Sequence, residues 1–345
     1  MTRSRLILIA AMTVVVVGVV AGVGAIWMSP ARAAVGPLSG QALILPADAR
    51  FVMGLDVKRF AASPFYAKFA AERGMKPEAL AELEEKTGLN PARDIDQIVI
   101  AGAGDGRRHG APGVAVALGH FDLYRLGRAI ETSGKGHGSS YEGVTVYSFG
   151  DDDSHGEARP AAVAFVDEST LVFGPKDQVL AVVGSRTHGE APLKTNAALM
   201  ARIEKVRPGS TFWMVGDQTL LASLPTSMPA PGAAPDSGAT LSLPALTGLT
   251  VTGDLDPQVS LAITGEARDA LAAKNLADVV RGLVAMASLQ AQQKPELAQL
   301  ASAVSIVTEE NRVLVSAQVP YELLEALQAK KTPAGAAKAA PAPAK

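Results

Sequence analysis

Residues 94–106 read DIDQIVIAGAGDG, where the apolar run Ile98-Val99-Ile100-Ala101 leads into Gly102, Gly104 and Gly106. A strand entering spaced glycines is how a dinucleotide-binding turn begins, because glycine lets backbone N–H groups approach a pyrophosphate. That chemistry also needs a helix whose N-terminus meets the phosphates, and an acidic residue ending a second parallel strand. Here Arg107-Arg108-His109-Gly110-Ala111-Pro112-Gly113 follow, and Val114-Ala115-Val116 begin a new strand at once. Two glycines and a proline do not propagate a helix. The stretch predicts a solvent-exposed hairpin loop over residues 102–113, between antiparallel strands, and no cofactor site.

The other candidates fail on similar grounds. Residues 134–140, GKGHGSS, have a lysine among glycines, but it is not placed as in a phosphate loop, and no apolar strand precedes it. They read as a flexible connection from helix to strand. Residues 151–157, DDDSHGE, bring carboxylates near one imidazole but lack the spaced ligands and central glycine of a calcium loop. They read as a solvated turn. The five histidines, at 109, 120, 137, 155 and 188, form no ligand pair, and no G-x-S-x-G elbow is present. Asp56 and Glu266 abut strand ends, where capping is their expected role. No catalytic, cofactor-binding or metal-ligating residue is assigned, and no cofactor is expected.

Those residues sit in a chain of 345, of which 48% are apolar, long enough to bury one large core or two modest ones. A net charge of −2 and 5% aromatics give no basic surface and few stacking platforms, so nucleic acid is not an expected partner. The absence of cysteine excludes disulfides, thiolate metal sites and cysteine nucleophiles. Arg3 and Arg5 precede an uncharged apolar run over residues 6–28, which as a helix is about 34 Å long and spans a bilayer. Ser29-Pro30 ends it, and Ala31-Arg32-Ala33 forms a cleavage pattern. Two readings stay open for residues 1–33: a membrane anchor, or a signal peptide removed after Ala33. Both export the rest of the chain, to a periplasmic or other extracytoplasmic location.

A short tether over residues 34–45 leads to a first half, residues 43–221. Residues 222–244 are rich in proline, alanine and glycine and read as a long loop. The second half, residues 245–327, begins with Leu249, Val251 and Gly253 alternating against Thr250, Thr252 and Asp254. Val259, Leu261 and Ile263 then alternate against Ser260, Ala262 and Thr264. That period of two predicts an antiparallel pair with one apolar face and one face open to water. A helix over residues 267–290 carries the stripe Ala272, Leu276, Val279, Leu283, Met286 and Ala287, with Arg281 opposite. Strands around residues 304–307 and 313–315 form a hairpin, and a last helix covers 321–327. Residues 328–345 are an alanine, proline and lysine tail with no large apolar side chain, expected to be disordered.

The first half reads in a parallel order. Strands fall at residues 51–57, 98–100, 114–118, 144–149, 161–166 and 171–173, and helices at 64–73, 77–87, 122–132 and 176–183. Residues 114–184 and 259–327 each run strand, helix, strand hairpin, helix. The expected fold is α+β: antiparallel sheets with helices packed on one face, built from two copies of a related unit.

The phrases "ILPADARFVMGLDVKRFAASPFY", "EKTGLNPARDIDQIVIAGAG", "VALGHFD", "YEGVTVYSF" and "ARDALAAKNLADVVRGLVAMASLQAQQKPEL" together resemble a group of bacterial exported, membrane-anchored proteins with no assigned activity. The resemblance covers residues 43–327. It implies one inherited unit whose glycine-rich loop is not a cofactor site, and it transfers no functional residue. The expectation is a non-enzymatic extracytoplasmic protein that binds another envelope component through a sheet face or the groove between its halves. The alternatives are a carrier of an apolar ligand held between sheet and helices, and an enzyme, such as a hydrolase, whose site carries no recognisable motif.

Overall fold

The structure is a computed structural model that describes residues 38–72, 77–103, 113–150, 160–222, 227–229, 240–242, 245–290 and 295–324. Its strands are β1 (Phe51–Asp56), β2 (Ile95–Gly102), β3 (Gly113–Gly119), β4 (Gly136–Tyr141), β5 (Val144–Phe149), β6 (Ala161–Asp167) and β7 (Thr170–Pro175). They continue with β8 (Phe212–Asp217), β9 (Ser227–Pro229), β10 (Thr240–Ser242), β11 (Leu246–Asp254), β12 (Val259–Ala267), β13 (Val304–Glu309) and β14 (Arg312–Val319). Twelve form one sheet in the order β13-β14-β12-β11-β8-β1-β2-β3-β7-β6-β5-β4, and β9 pairs with β10 separately. Every pairing is antiparallel. The fold is therefore α+β.

Helices arise where strand alternation gives way to spacings of three and four, and carboxylates start several of them. Asp56 accepts from the Arg59 N–H at 2.9 Å to cap Val57–Ala62, and Asp122 accepts from Arg125 at 2.9 Å to cap Leu123–Ser133. Asp217 and Asp269 do the same for Gln218–Ala222 and Ala270–Gln290, at 2.8 and 2.7 Å. Such caps satisfy N–H groups that a first turn otherwise leaves unpaired.

Alternation along the strands sorts the core into two layers. On one face, Phe51, Ile98, Ile100, Ala115, Phe165 and Phe212 pack with Leu126 and Ile130 of the Leu123–Ser133 helix. On the other, Val52, Val99, Val114, Val116, Val172 and Val215 pack with Val179, Val182 and Val183 of the Lys176–Thr187 helix. Strands β1, β2 and β3 are thus buried on both sides, which is why residues 98–101 read as a continuous apolar run. Helices lie on both faces in the first half, and the one-sided arrangement expected for the whole chain holds only for the second.

The two halves share one topology. The rung Met53-Ile100-Ala115-Phe173-Val163 crosses β1-β2-β3-β7-β6. Its counterpart Met214-Val251-Ile263-Val315-Ile306 crosses β8-β11-β12-β14-β13. Met53 pairs with Met214, so the two rungs meet at the centre about a pseudo-twofold axis. The repeat begins earlier than residues 114 and 259: FVMGLD of β1 and FWMVGD of β8 are its first strands, each ending in a capping aspartate. Strand β8 is short and carries no clear alternation in its sequence, FWMVGD. Its aromatics explain two glycines. Trp213 lies over Gly54 on one face and Phe212 over Gly253 on the other, and a Cβ at either glycine would collide with the ring.

Three further expectations change. The tether is partly core: the 3-10 turn Gly40–Ile44 brings Ala42 and Ile44 inward, and Leu45 follows them. The flexible connection at 134–140 is a left-handed Gly134 followed by the edge strand β4. In the Ala270–Gln290 helix the fully buried positions are Ala273 and Ala277, while Leu276, Val279 and Leu283 are half-buried. Small residues bring this helix close to the sheet, so the leucines flank the contact instead of filling it. Arg281 is exposed and pairs with Asp278 at 2.8 Å. The apolar N-terminal run, the glycine loop past Ala103, the acidic turn at 151–157, most of the proline-rich loop and the tail lie outside the described residues.

Candidate functional site

Matching positions in the two halves differ sharply on one face. In the first half, Val99, Val116, Val172 and Ala164 form a rung beneath the Lys176–Thr187 helix, all fully buried. The equivalent rung in the second half is Thr250, Thr264, Leu314 and Val307. The next rung, Thr252-Ala262-Ser316-Ser305, is also hydroxyl-rich. Thr250, Thr264, Ala262, Leu314 and Ser316 are half-buried, Thr252 is buried, Ser305 is exposed, and Val307 is 43% exposed. Among the described residues no helix covers this face, because the segment after β14 turns to the other side, where Tyr321, Leu323 and Leu324 pack with Val259 and Val319. Threonine keeps the β-branched shape of valine and its preference for strands, but its hydroxyl needs a hydrogen-bonding partner. An apolar helix laid over these hydroxyls would cost about 1–3 kcal/mol for each one left unpaired. The surface is mixed, with hydroxyls on Thr250, Thr264, Ser316 and Ser305 beside the apolar Leu314 and Val307.

Two ion-pair clusters border it and join the halves. Arg202 reaches Glu266 through Nε at 3.1 Å and Nη2 at 2.8 Å, and donates from Nη2 to the Thr247 carbonyl at 3.0 Å. Lys205 stands 3.7 Å from the same carboxylate. Glu266 is thus an inter-half ion-pair partner and not the helix cap expected of it. Asp254 is fully buried at the end of β11. It accepts from the Thr211 N–H at 2.6 Å and hydroxyl at 3.2 Å, pairs with Arg207, and lies 3.5 Å from Arg59 Nη1. Arg59 also donates to the Gly209 carbonyl. Asp56 is the cap expected of it, and burial pushes its carboxyl above the ordinary range against the pull of Arg59. These contacts hold the open face in fixed register with the rest of the sheet.

The remaining candidates are dispersed. Gly102 pairs with Gly113 across β2 and β3, so the glycine stretch joins antiparallel strands, the reverse of a dinucleotide site. His120 is exposed, 3.9 Å from Asp96; His137 lies on β4 and His188 ends the Lys176–Thr187 helix. Residues Pro46, Asp48, Ala49, Gly102, Ala103 and Asp177 help to line an open pocket of about 270 Å³. Among the described residues no three metal-ligating side chains converge, and no helix is long and apolar enough to cross a membrane. Reading the sequence found Thr250, Thr252, Ser260 and Thr264 as a polar strand face. Local pattern does not single out Arg59, Arg202 or Arg207; the echo of FVMGLD in FWMVGD is the one signal that could have marked strand β8 beside them.

No family model matches the chain, and no curated protein matches it. Solved structures with a distant likeness include two crystal forms of TP0453. Crystal form I of TP0453 shares 10% identity, with 86% of this chain and 98% of that chain covered and a TM-score of 0.44. Crystal form IV of TP0453 shares 9% identity over 86% of this chain and 97% of that chain, with a TM-score of 0.43.

Proposed function

We propose that the protein is a non-enzymatic, extracytoplasmic binding protein of the cell envelope, exported through its N-terminal apolar segment, and that it presents the open face of β11, β12, β14 and β13 to a polar partner. The observation that carries this reading is the replacement of the buried Val99 and Val116 by Thr250 and Thr264 at matching positions of one repeat, while Val172 and Ala164 of the same rung give way to Leu314 and Val307. The first half uses those positions for its own core, and the second leaves them accessible. The likeness of phrases to exported, membrane-anchored proteins agrees with the location. The open pocket, with Asp48 and Asp177 on its wall, adds nothing to the alternative of an apolar-ligand carrier, since it falls below the usual 300–1,000 Å³ of such sites.

A photoreactive residue at Thr264 or Ser316 of the full chain, activated in cells, tests the reading. A defined adduct with one envelope component is expected from both positions and not from Lys274, an exposed position on the Ala270–Gln290 helix. Introducing Thr264→Arg should abolish the Ser316 adduct without moving the melting temperature. Equal labelling from all three positions refutes the proposal.

A further inference from the structure

We infer that β13 is a self-pairing edge, through which a second copy of this chain joins antiparallel about Ile306 to continue the sheet. The inference does not depend on the proposed function. It starts from the internal repeat. In the first half the equivalent strand, β6, is not an edge, because β5 pairs along it and Tyr147 lies opposite Val163. Among the described residues the second half has no hairpin at that position, and β13 ends the sheet. The fold thus shows what geometry fits beyond this strand: one more antiparallel strand.

The register follows from the hairpin. A two-residue loop, Glu310-Asn311, makes Glu309 and Arg312 the closing pair, so Glu309, Val307 and Ser305 turn their backbone groups toward β14. Val304, Ile306 and Thr308 turn theirs outward, and no described residue hydrogen-bonds to them from that side. A twofold axis at Ile306 sets Val304 against Thr308 and Ile306 against itself. All three outward residues of each copy are then paired, with side chains on matching faces. This register keeps the acidic ends apart: the two Glu309 side chains stand six residues away from each other, about 20 Å, well beyond the screening length of about 8 Å.

A strand pair alone covers less than the roughly 1,200 Å² of a stable interface. The Ala270–Gln290 helix supplies more. It packs over β13 and β14, and Leu276, Val279, Val280, Leu283 and Val284 remain half-buried along it. An axis perpendicular to the sheet brings the two helices together on one face. The association is a weak, concentration-dependent dimer.

The chain has no cysteine, which allows a direct test with the full-length protein in mild detergent. The register sets Ser305 of one copy opposite Val307 of the other as a non-hydrogen-bonded pair, about 4.5 Å apart at Cα and within disulfide range. A mixture of Ser305→Cys and Val307→Cys proteins should form several-fold more covalent dimer than either protein alone. Thr308→Pro removes one outward N–H and leaves the β14 ladder intact. It should abolish concentration-dependent dimerisation in sedimentation with the melting temperature unchanged. A monomer at every concentration, equal cross-linking in the single variants and the mixture, or a dimer that survives Thr308→Pro in folded protein overturns the inference.

Discussion

Replacing Asp254 with alanine tests whether the buried carboxylate holds the two halves together. The side chain is fully buried, and its removal leaves the Thr211 N–H without its acceptor, at about 1–3 kcal/mol. Arg59, whose side chain is 19% exposed, loses one anionic partner but keeps Asp56 and the Gly209 carbonyl. Arg207 is 54% exposed, so its share is below about 1 kcal/mol. The expected loss is about 3–5 kcal/mol, the range for breaking a buried pair from one side. Asp254→Asn preserves an acceptor for Thr211 and loses only the charge, so it should cost about 1–2 kcal/mol. Urea unfolding followed by the fluorescence of Trp213 reads the difference, because that indole is 3% exposed at the junction of β8 with β1 and β11. Salt at high concentration should leave the effect in place, since screening acts on exposed pairs. A loss below about 1 kcal/mol for Asp254→Ala, or one that salt removes, refutes the role assigned to this cluster.

Three further outcomes are expected. Ala273→Leu should destabilise by about 1–3 kcal/mol through overpacking, and Leu276→Ala by only about 1–2 kcal/mol, because the alanine is buried and the leucine half-buried; urea titration ranks them. Asp56→Ala should lose about 1 kcal/mol of capping, whereas Asp56→Asn retains the cap. Burial raises the Asp56 pKa in the folded state, so the stability linked to its protonated form is present at acid pH and lost as pH rises through the folded value; the asparagine variant, compared with wild type in melts at several pH values, should therefore fare better at neutral than at acid pH. Burial pushes Tyr321 up to about 12, and its hydroxyl donates to the Leu255 carbonyl. The stability it contributes is present below about 10, its ordinary value, and is lost as pH rises toward about 12. Tyr321→Phe should flatten that alkaline decline in circular-dichroism melts.

Much of the element pattern was legible because it is local. The alternation of Val259, Leu261 and Ile263 against Ser260, Ala262 and Thr264 fixed both the strand and its wet face, and β12 carries them as read. Asp56 at a strand end signalled a cap and is one. Other signals were weak for physical reasons. The segment GHGSSY of β4 has glycines and no apolar period, and it is a strand only because β5 supplies the ladder. The turn containing Ala42 and Ile44 is too short for periodicity to show. Glu266 lies beside a helix start in sequence, but Arg202, 64 residues away, claims its carboxylate.

By itself, the sequence determined the α+β class, several antiparallel hairpins, the order strand, helix, hairpin within residues 114–173 and 259–319, and the hydroxylated face of β11 and β12. Side-chain period and turn chemistry act over a few residues, and any fold that buries the apolar face must honour them. The tertiary structure decided that the two halves merge into one sheet. Met53 pairs with Met214 across more than 160 residues, and no local window contains both. It also decided which valines lie under a helix and which threonines stay only half-buried. Val116 and Thr264 occupy the same place in the repeat. One is core because the Lys176–Thr187 helix returns over it, and the other is half-buried because the described segment after β14 turns to the opposite face.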